Sequence, residues 1–137
     1  MNSALKQQIL NHFWAYKGQQ FRLSINDCNV LAYELVDMIR GTGETEKHKG
    51  QYLTRSAGFK HAEKYGTFTD YLERIDAKPI SSSFAGFGDI ITIPAKHNYT
   101  NCIIHLGDHI LQCSVTRGIT IERGEFRIHP DHKTWRV

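Results

Sequence analysis

Residues 101–113 read NCIIHLGDHILQC. Two apolar runs lie on either side of Gly107-Asp108, and such a dipeptide between apolar runs is typical of a tight turn that joins paired strands. The segment therefore predicts an antiparallel hairpin, with strands over residues 102–106 and 110–115. Shorter apolar runs predict three more strands, over residues 90–93, 119–122 and 134–137.

The N-terminal half of the chain has the periodicity of helices. Apolar residues recur every four positions along residues 3–16, which predicts an amphipathic helix. A second apolar stripe follows Asn26 and Asp27, which are good capping residues, and it ends before Gly41. The second helix is therefore expected to begin at or beside Cys28.

Two shorter helices are predicted over residues 56–65 and 67–75. Residues 78–88 contain a proline and three serines and are expected to form a loop. Helices followed by antiparallel strands predict an α+β fold, in which N-terminal helices pack on a C-terminal antiparallel sheet of about five short strands. The length of 137 residues fits one domain, spanning 1–137.

The composition argues against several classes of protein. Hydrophobic residues make up 40% of the chain and charged residues 23%, which are ordinary values for a folded domain. No apolar run reaches the roughly 18 residues of a membrane span, and the N-terminus lacks the apolar core of a secretory signal. We therefore expect the chain to be made in a cytoplasm. Its net charge of +3 is not clustered, which argues against a nucleic-acid partner.

The three cysteines form no CxxC pair and, being odd in number, no disulfide framework. Cys28 is expected in the first turn of a helix, where unpaired N–H groups and the helix dipole favour the nucleophilic thiolate, although Asp27 opposes it. The alternative is a small apolar side chain that fills the top of the core. A catalytic cysteine also needs a base. Of the eight histidines, only His105 lies inside an apolar strand pattern.

A metal site is a further alternative on the same hairpin. Cys102, His105, His109 and Cys113 form the pattern C-x2-H-x3-H-x3-C. On a strand, however, Cys102 and His105 point to opposite faces, so the four side chains cannot converge without distorting the hairpin. We therefore expect neither a metal nor a cofactor.

The order of the sequence motifs along the chain resembles that of the NlpC-type peptidases, which are papain-like cysteine hydrolases that cut peptidoglycan stem peptides. They are more similar still to a phage-encoded offshoot family of unknown function that is found with tail genes. The resemblance covers nearly the whole chain and implies a papain-like fold. The matching positions are Phe21, Asn26-Asp27-Cys28, Gly41, Tyr52, Gly58, Gly88-Asp89, the hairpin over residues 101–113, Gly118 and Trp135-Arg136-Val137.

The resemblance also implies roles for individual residues. Cys28 falls on the nucleophile and, with the register fixed at Gly107, Gln112 falls on the polar residue that orients the base. Asn101 then occupies the place of the catalytic histidine, and an asparagine cannot act as a base near neutral pH. His105 points to the same strand face as Asn101 but lies about 13 Å further along the strand.

The resemblance implies two functions. The first is a structural or assembly protein of a phage tail, near the tail tip, which is catalytically degenerate and resides in the virion. Its partners would be other tail proteins, with peptidoglycan as a further candidate. The alternative is an active cysteine endopeptidase or amidase that opens the cell wall during genome delivery. Cys28 would then attack a stem-peptide amide, with His105 as base, Gln112 as orienter and helix N–H groups stabilising the oxyanion.

Overall fold

The computed structural model describes residues 1–123 and 129–137. In this part of the chain the α-helices are α1 Ser3–Trp14, α2 Cys28–Arg40, α3 Arg55–Tyr65 and α4 Phe68–Arg74. The strands are β1 Lys78–Ile80, β2 Ile90–Pro94, β3 Thr100–His105, β4 His109–Ser114, β5 Gly118–Arg123 and β6 Lys133–Arg136. Short 3₁₀ helices cover Glu44–Lys47, Ser82–Phe84 and Lys96–Asn98.

The strands form one antiparallel sheet in the order β1-β6-β2-β3-β4-β5. The predicted α+β class is confirmed, and so is the hairpin, which is β3 and β4. The prediction of about five strands was one too few among the described residues. Residues 78–88 do not form a loop throughout, because Lys78–Ile80 pairs with β6, with Pro79 opposite Trp135.

Both ends of the sheet are short or covered. Strand β1 has only three residues, and its central residue is Pro79, which has no N–H group and therefore suits an edge strand. At the other edge, the chain after α1 pairs with the start of β5. Gly18 N–H donates to the Ile119 carbonyl, and Ile119 N–H donates to the Gln19 carbonyl, both at 2.9 Å.

Helix α2 is the centre of the core. All of its residues from 29 to 36 are buried, because the helix lies between α1, the sheet and the segment that follows α2. Its apolar side chains Leu31 and Leu35 belong to one cluster with Ile104 and Leu111 of the central strands. Burial on every side is typical of a helix inside a domain. None of the described helices is both long and apolar enough to cross a membrane.

The N-terminus of α2 is fixed by a buried carboxylate. Asp27 Oδ1 accepts the Val30 N–H at 2.9 Å, which is the N-cap bond. Its Oδ2 accepts the Ser24 N–H and the Tyr52 hydroxyl, each at 2.8 Å. The predicted helix start is therefore confirmed, and Cys28 is the first helical residue.

Candidate active-site cleft around Cys28

A cavity of about 660 Å³ lies where the start of α2 meets α3 and the strands β2, β3 and β4. We call it the Cys28 cleft. Three of the residues singled out from the sequence line it, namely Cys28, Asn101 and Gln112. Cys28 lies more than 70 residues before the other two in the chain, so the fold brings these three positions to one cleft.

The neighbour of the Cys28 thiol is Cys102 on β3. The Cys102 N–H donates to Cys28 Sγ at 3.2 Å, and the two thiols also lie within hydrogen-bonding reach of each other. The Cys102 thiol and N–H lower the pKa of Cys28 below its ordinary value, although burial and the charge of Asp27 oppose them. Cys28 is partly exposed, so this stabilised thiolate faces the cleft.

The other two cysteines are less acidic than Cys28. Cys102 is buried, and its thiol also contacts Asn29 Oδ1 at 3.5 Å. Burial, and then its contact with Cys28, raise the pKa of Cys102 well above the ordinary value. The Cys113 thiol donates to the Asn26 carbonyl at 3.6 Å, and burial raises its pKa too. All three cysteines are free.

His105 lies away from this cluster. It is the last residue of β3, three residues beyond Cys102, which corresponds to about 10 Å and to the opposite strand face. Its Nδ1 accepts the Gly107 N–H at 3.2 Å within the turn. The structure therefore does not assemble the Cys28–His105 pair of the hydrolase alternative. Among the described residues that line the cleft, none is a histidine.

Asn101 lines the cleft, but it is not the β3 residue that contacts Cys28. Strand alternation turns Cys102 and Ile104 towards α2, and both belong to the core cluster. Asn101 is exposed and points the other way. The residue of β3 that contacts the Cys28 sulfur is therefore Cys102, and counting along a strand does not show which face the helix covers.

Two tyrosines complete the floor of the cleft. The Tyr52 hydroxyl donates to Asp27 and lies within reach of the Tyr99 hydroxyl. Burial raises the pKa of Tyr52, and it raises the pKa of Tyr99 to about 12. Both hydroxyls therefore stay protonated near neutral pH, and that of Tyr52 donates its hydrogen bond to Asp27. Sequence reasoning gave neither of them a role, since no local pattern links them to Asp27.

A family model for a domain of unknown function, DUF6950, matches residues 3–128. The chain belongs to this family. The match runs from α1 through β5 and so contains Cys28, Cys102 and the other residues that form the cleft of this DUF6950 domain. No curated protein matches the chain.

The metal alternative has little support in the DUF6950 fold. Cys102 and Cys113 line the cleft, whereas His105 and His109 lie beside the turn at the far end of the hairpin. In the part of the chain that the structure describes, no group of three or more histidine, cysteine, aspartate or glutamate side chains is arranged to hold a metal ion.

A second group of ionisable side chains adjoins the cleft. His48 Nδ1 lies 2.9 Å from His61 Nε2, and His48 Nε2 lies 3.4 Å from Glu44 Oε1. The His48 ring stacks on Tyr33 with ring centroids 4.0 Å apart. Burial lowers the pKa of both histidines, so each stays neutral to a lower pH than a free histidine.

Proposed function

We propose that this DUF6950 chain is a structural or assembly protein of a phage tail, near the tail tip, with a papain-like, NlpC-type fold that has lost its catalytic base. The α+β architecture supports this proposal, because a cysteine begins the central helix and faces an antiparallel sheet, as the resemblance implies. The tail placement and the tail-protein partners rest on the resemblance of the sequence motifs.

The observation that carries the loss of activity is the composition of the Cys28 cleft. A base must come within about 3 Å of the thiol or of the leaving group that it serves. Cys28 is instead met by the thiol and the N–H of Cys102, and the nearby tyrosine hydroxyls stay protonated. A thiolate can form here, but none of the described residues that line the cleft is a histidine that could take up the thiol proton and return it to a departing amine.

The proposed location is tested by labelling the chain in assembled particles. An epitope tag would be added to the chain in the phage genome that encodes it, and purified virions would be examined by immunogold electron microscopy. We expect gold at the tail tip. Purified virions that lack the chain, with the tagged protein left in the lysate, would contradict the proposal.

The loss of activity is tested with purified peptidoglycan and its soluble stem peptides. We expect no cleavage by the wild-type chain over a time in which an active NlpC-type peptidase digests the same substrate completely. Incubation from pH 5 to pH 9 covers the range in which a thiolate and a neutral base can coexist. Cleavage by the wild-type chain that disappears in Cys28→Ala would contradict catalytic degeneracy.

One observation favours the second candidate, an active cysteine endopeptidase or amidase that cuts stem peptides. Cys28 is partly exposed to the cleft and its pKa is lowered, as a catalytic thiol requires. In that case His105 would have to reach Cys28 through a rearrangement of β3. The variant His105→Ala separates the two candidates, because it would abolish cleavage by such an enzyme and would have no effect on a protein that cleaves nothing.

A further inference from the structure

All three cysteines of the chain line the Cys28 cleft. They come from three different elements, since Cys28 begins α2, Cys102 lies on β3 and Cys113 on β4. The sulfur of Cys28 is 3.2 Å from the backbone nitrogen of Cys102, so the Cys28 side chain lies directly against Cys102. A disulfide needs two cysteines whose side chains can meet, and this contact brings the Cys28 sulfur to Cys102.

The surroundings of the two sulfurs differ in the way that a reactive dithiol requires. Cys28 is partly exposed to the cleft, and its thiolate accepts hydrogen bonds from Cys102. Cys102 is buried behind it and keeps its proton. An incoming molecule therefore meets Cys28 first, whereas Cys102 is placed to react only with a group already attached to Cys28.

The negative charge on Cys28 is one of the causes that keep the Cys102 thiol protonated. When Cys28 enters a mixed disulfide, that charge disappears. Cys102 then loses its proton more readily, at the moment when the Cys28 sulfur has become electrophilic. The contact between the two residues thus favours a sequence of two steps in a fixed order.

The charges of the cleft indicate which disulfides it would admit. Arg55 and Lys96 line it and are exposed. Asp27 also lines it, but both of its oxygens already accept N–H or O–H groups of the chain. The described part of the cleft therefore offers two free cations to a ligand, which attracts an anionic molecule.

We propose that Cys28 and Cys102 form a redox-active dithiol that anionic low-molecular-weight disulfides oxidise to an intramolecular disulfide. The Cys28 thiolate attacks one sulfur of the small disulfide, forms a mixed disulfide and expels the first small thiolate. Cys102 then gives up its proton to the solvent and attacks the Cys28 sulfur, which expels the second small thiolate. The two small thiolates take up, from the solvent, the two protons that the protein thiols have lost. Two protein thiols and one small disulfide thus become one protein disulfide and two small thiols, so atoms and electrons balance.

This dithiol chemistry goes beyond the proposed tail function and does not depend on it. The test uses the full chain with oxidised glutathione, an anionic disulfide, followed by intact-mass spectrometry and peptide mapping. We expect wild type to lose two hydrogens, to release two equivalents of glutathione and to contain the Cys28–Cys102 bond. In Cys102→Ser the glutathione adduct on Cys28 should persist at least ~100-fold longer, because the neighbouring thiol is gone.

Cys113→Ser is the matched control, because its thiol contacts a different partner, the Asn26 carbonyl. It should oxidise as wild type does. Oxidised glutathione should also react faster than cystamine, a cationic disulfide, and Arg55→Gln should reduce that preference. A persistent adduct on wild type, or a disulfide that contains Cys113, would overturn the proposal. Circular dichroism shows whether each variant is folded. Peptide mapping of the oxidised wild-type chain tests the proposal without any substitution.

Discussion

The chemical character of Cys28 depends on a residue 74 positions further along the chain. The Cys102 thiol and N–H both stabilise a negative charge on the Cys28 sulfur, and they outweigh the opposing effects of burial and of Asp27. A sulfur at the start of a helix gains further from the helix dipole. Cys28 therefore combines an activated thiol with a cleft that has no histidine among its described lining residues.

The lowered pKa of Cys28 predicts its reactivity. The rate of alkylation by iodoacetamide should rise through a midpoint below the roughly 8.5 of a free cysteine, because the thiolate is the reacting species. Cys102→Ala should move this midpoint upward, since it removes the thiol that stabilises the charge. Peptide mapping at a series of pH values measures the rate at each cysteine.

Cys113→Ala is the control for that experiment, because Cys113 is not among the groups that lower the pKa of Cys28. In this variant the midpoint for the alkylation of Cys28 should equal that of wild type. A wild-type midpoint at or above that of a free cysteine would show that burial and Asp27 dominate instead.

At the scale of elements, the start of α2 is held by the side chain of Asp27. This buried carboxylate caps the helix and also accepts hydrogen bonds from Ser24 and Tyr52. One side chain thus joins the helix to the segment before it and to the segment before α3. The position of Cys28 in the cleft follows from this arrangement.

Asp27→Ala should lower the free energy of unfolding by about 2–4 kcal/mol. About 1 kcal/mol comes from the lost cap and the rest from the buried donors of Ser24 and Tyr52, which lose their acceptor. Urea denaturation measures the difference. Asn2→Ala is the matched control, because Asn2 caps the exposed start of α1 with a single bond to Leu5 N–H. Its cost should be only about 1 kcal/mol, and equal costs would contradict a special role for Asp27.

The contact between the chain after α1 and β5 depends on a glycine. Gly118 has φ +76°, and a Cβ there would lie only 2.3 Å from the Gln19 carbonyl oxygen. Gly118→Ala should therefore cost roughly 3 kcal/mol, about 1 from the left-handed backbone and about 2 from crowding.

Gly18→Ala separates these two contributions to the cost. Gly18 has φ +84°, but no atom of the described residues lies within 4 Å of the place that an added methyl group would take. Only the backbone cost of about 1 kcal/mol should therefore remain. Thermal or urea unfolding of the two variants gives the comparison. Similar losses in both would show that the chain around Gln19 can move away from β5 at little cost.

At the scale of the whole molecule, burial favours the uncharged form of three histidine side chains. Burial lowers the pKa of His48, His61 and His105. At His48, Glu44 opposes this effect, whereas the charges of His61 and Lys47 add to it. Lys64 lowers the pKa of His61 further, and Asp89 opposes the effect of burial at His105. The unfolded chain therefore binds protons at these sites more readily than the folded chain does.

This difference predicts how stability depends on pH. The three histidines contribute to the free energy of unfolding when they are neutral in the folded chain. This contribution is fully present above their unfolded pKa of about 6.5, and it is lost as the pH falls through their lower folded pKa values. The free energy of unfolding should thus decline between pH 7 and pH 5. In His61→Gln the decline should be shallower, because the variant removes one titrating group and a charge that lowers the pKa of His48. Urea denaturation at each pH tests this, and parallel curves would contradict it.

The sequence was sufficient for features that depend on neighbouring residues. Asp27 and Gly41 mark the two ends of α2, and Gly107-Asp108 marks the turn between β3 and β4. Strand β1 was missed because it pairs with β6, more than fifty residues later, and a proline with serines nearby is typical of a loop. The contact between Cys28 and Cys102 was missed for a related reason, since it depends on which face of β3 the helix covers.

Pro79 at the sheet edge limits how a neighbouring protein can bind. A partner that added its own strand beside β1 would find three residues, and the middle one offers no N–H group. Two or three backbone hydrogen bonds cannot hold such a strand in register. Assembly into a larger particle would therefore have to use side-chain surfaces at this end of the sheet, and crowded copies of the chain would be kept from joining their sheets through β1.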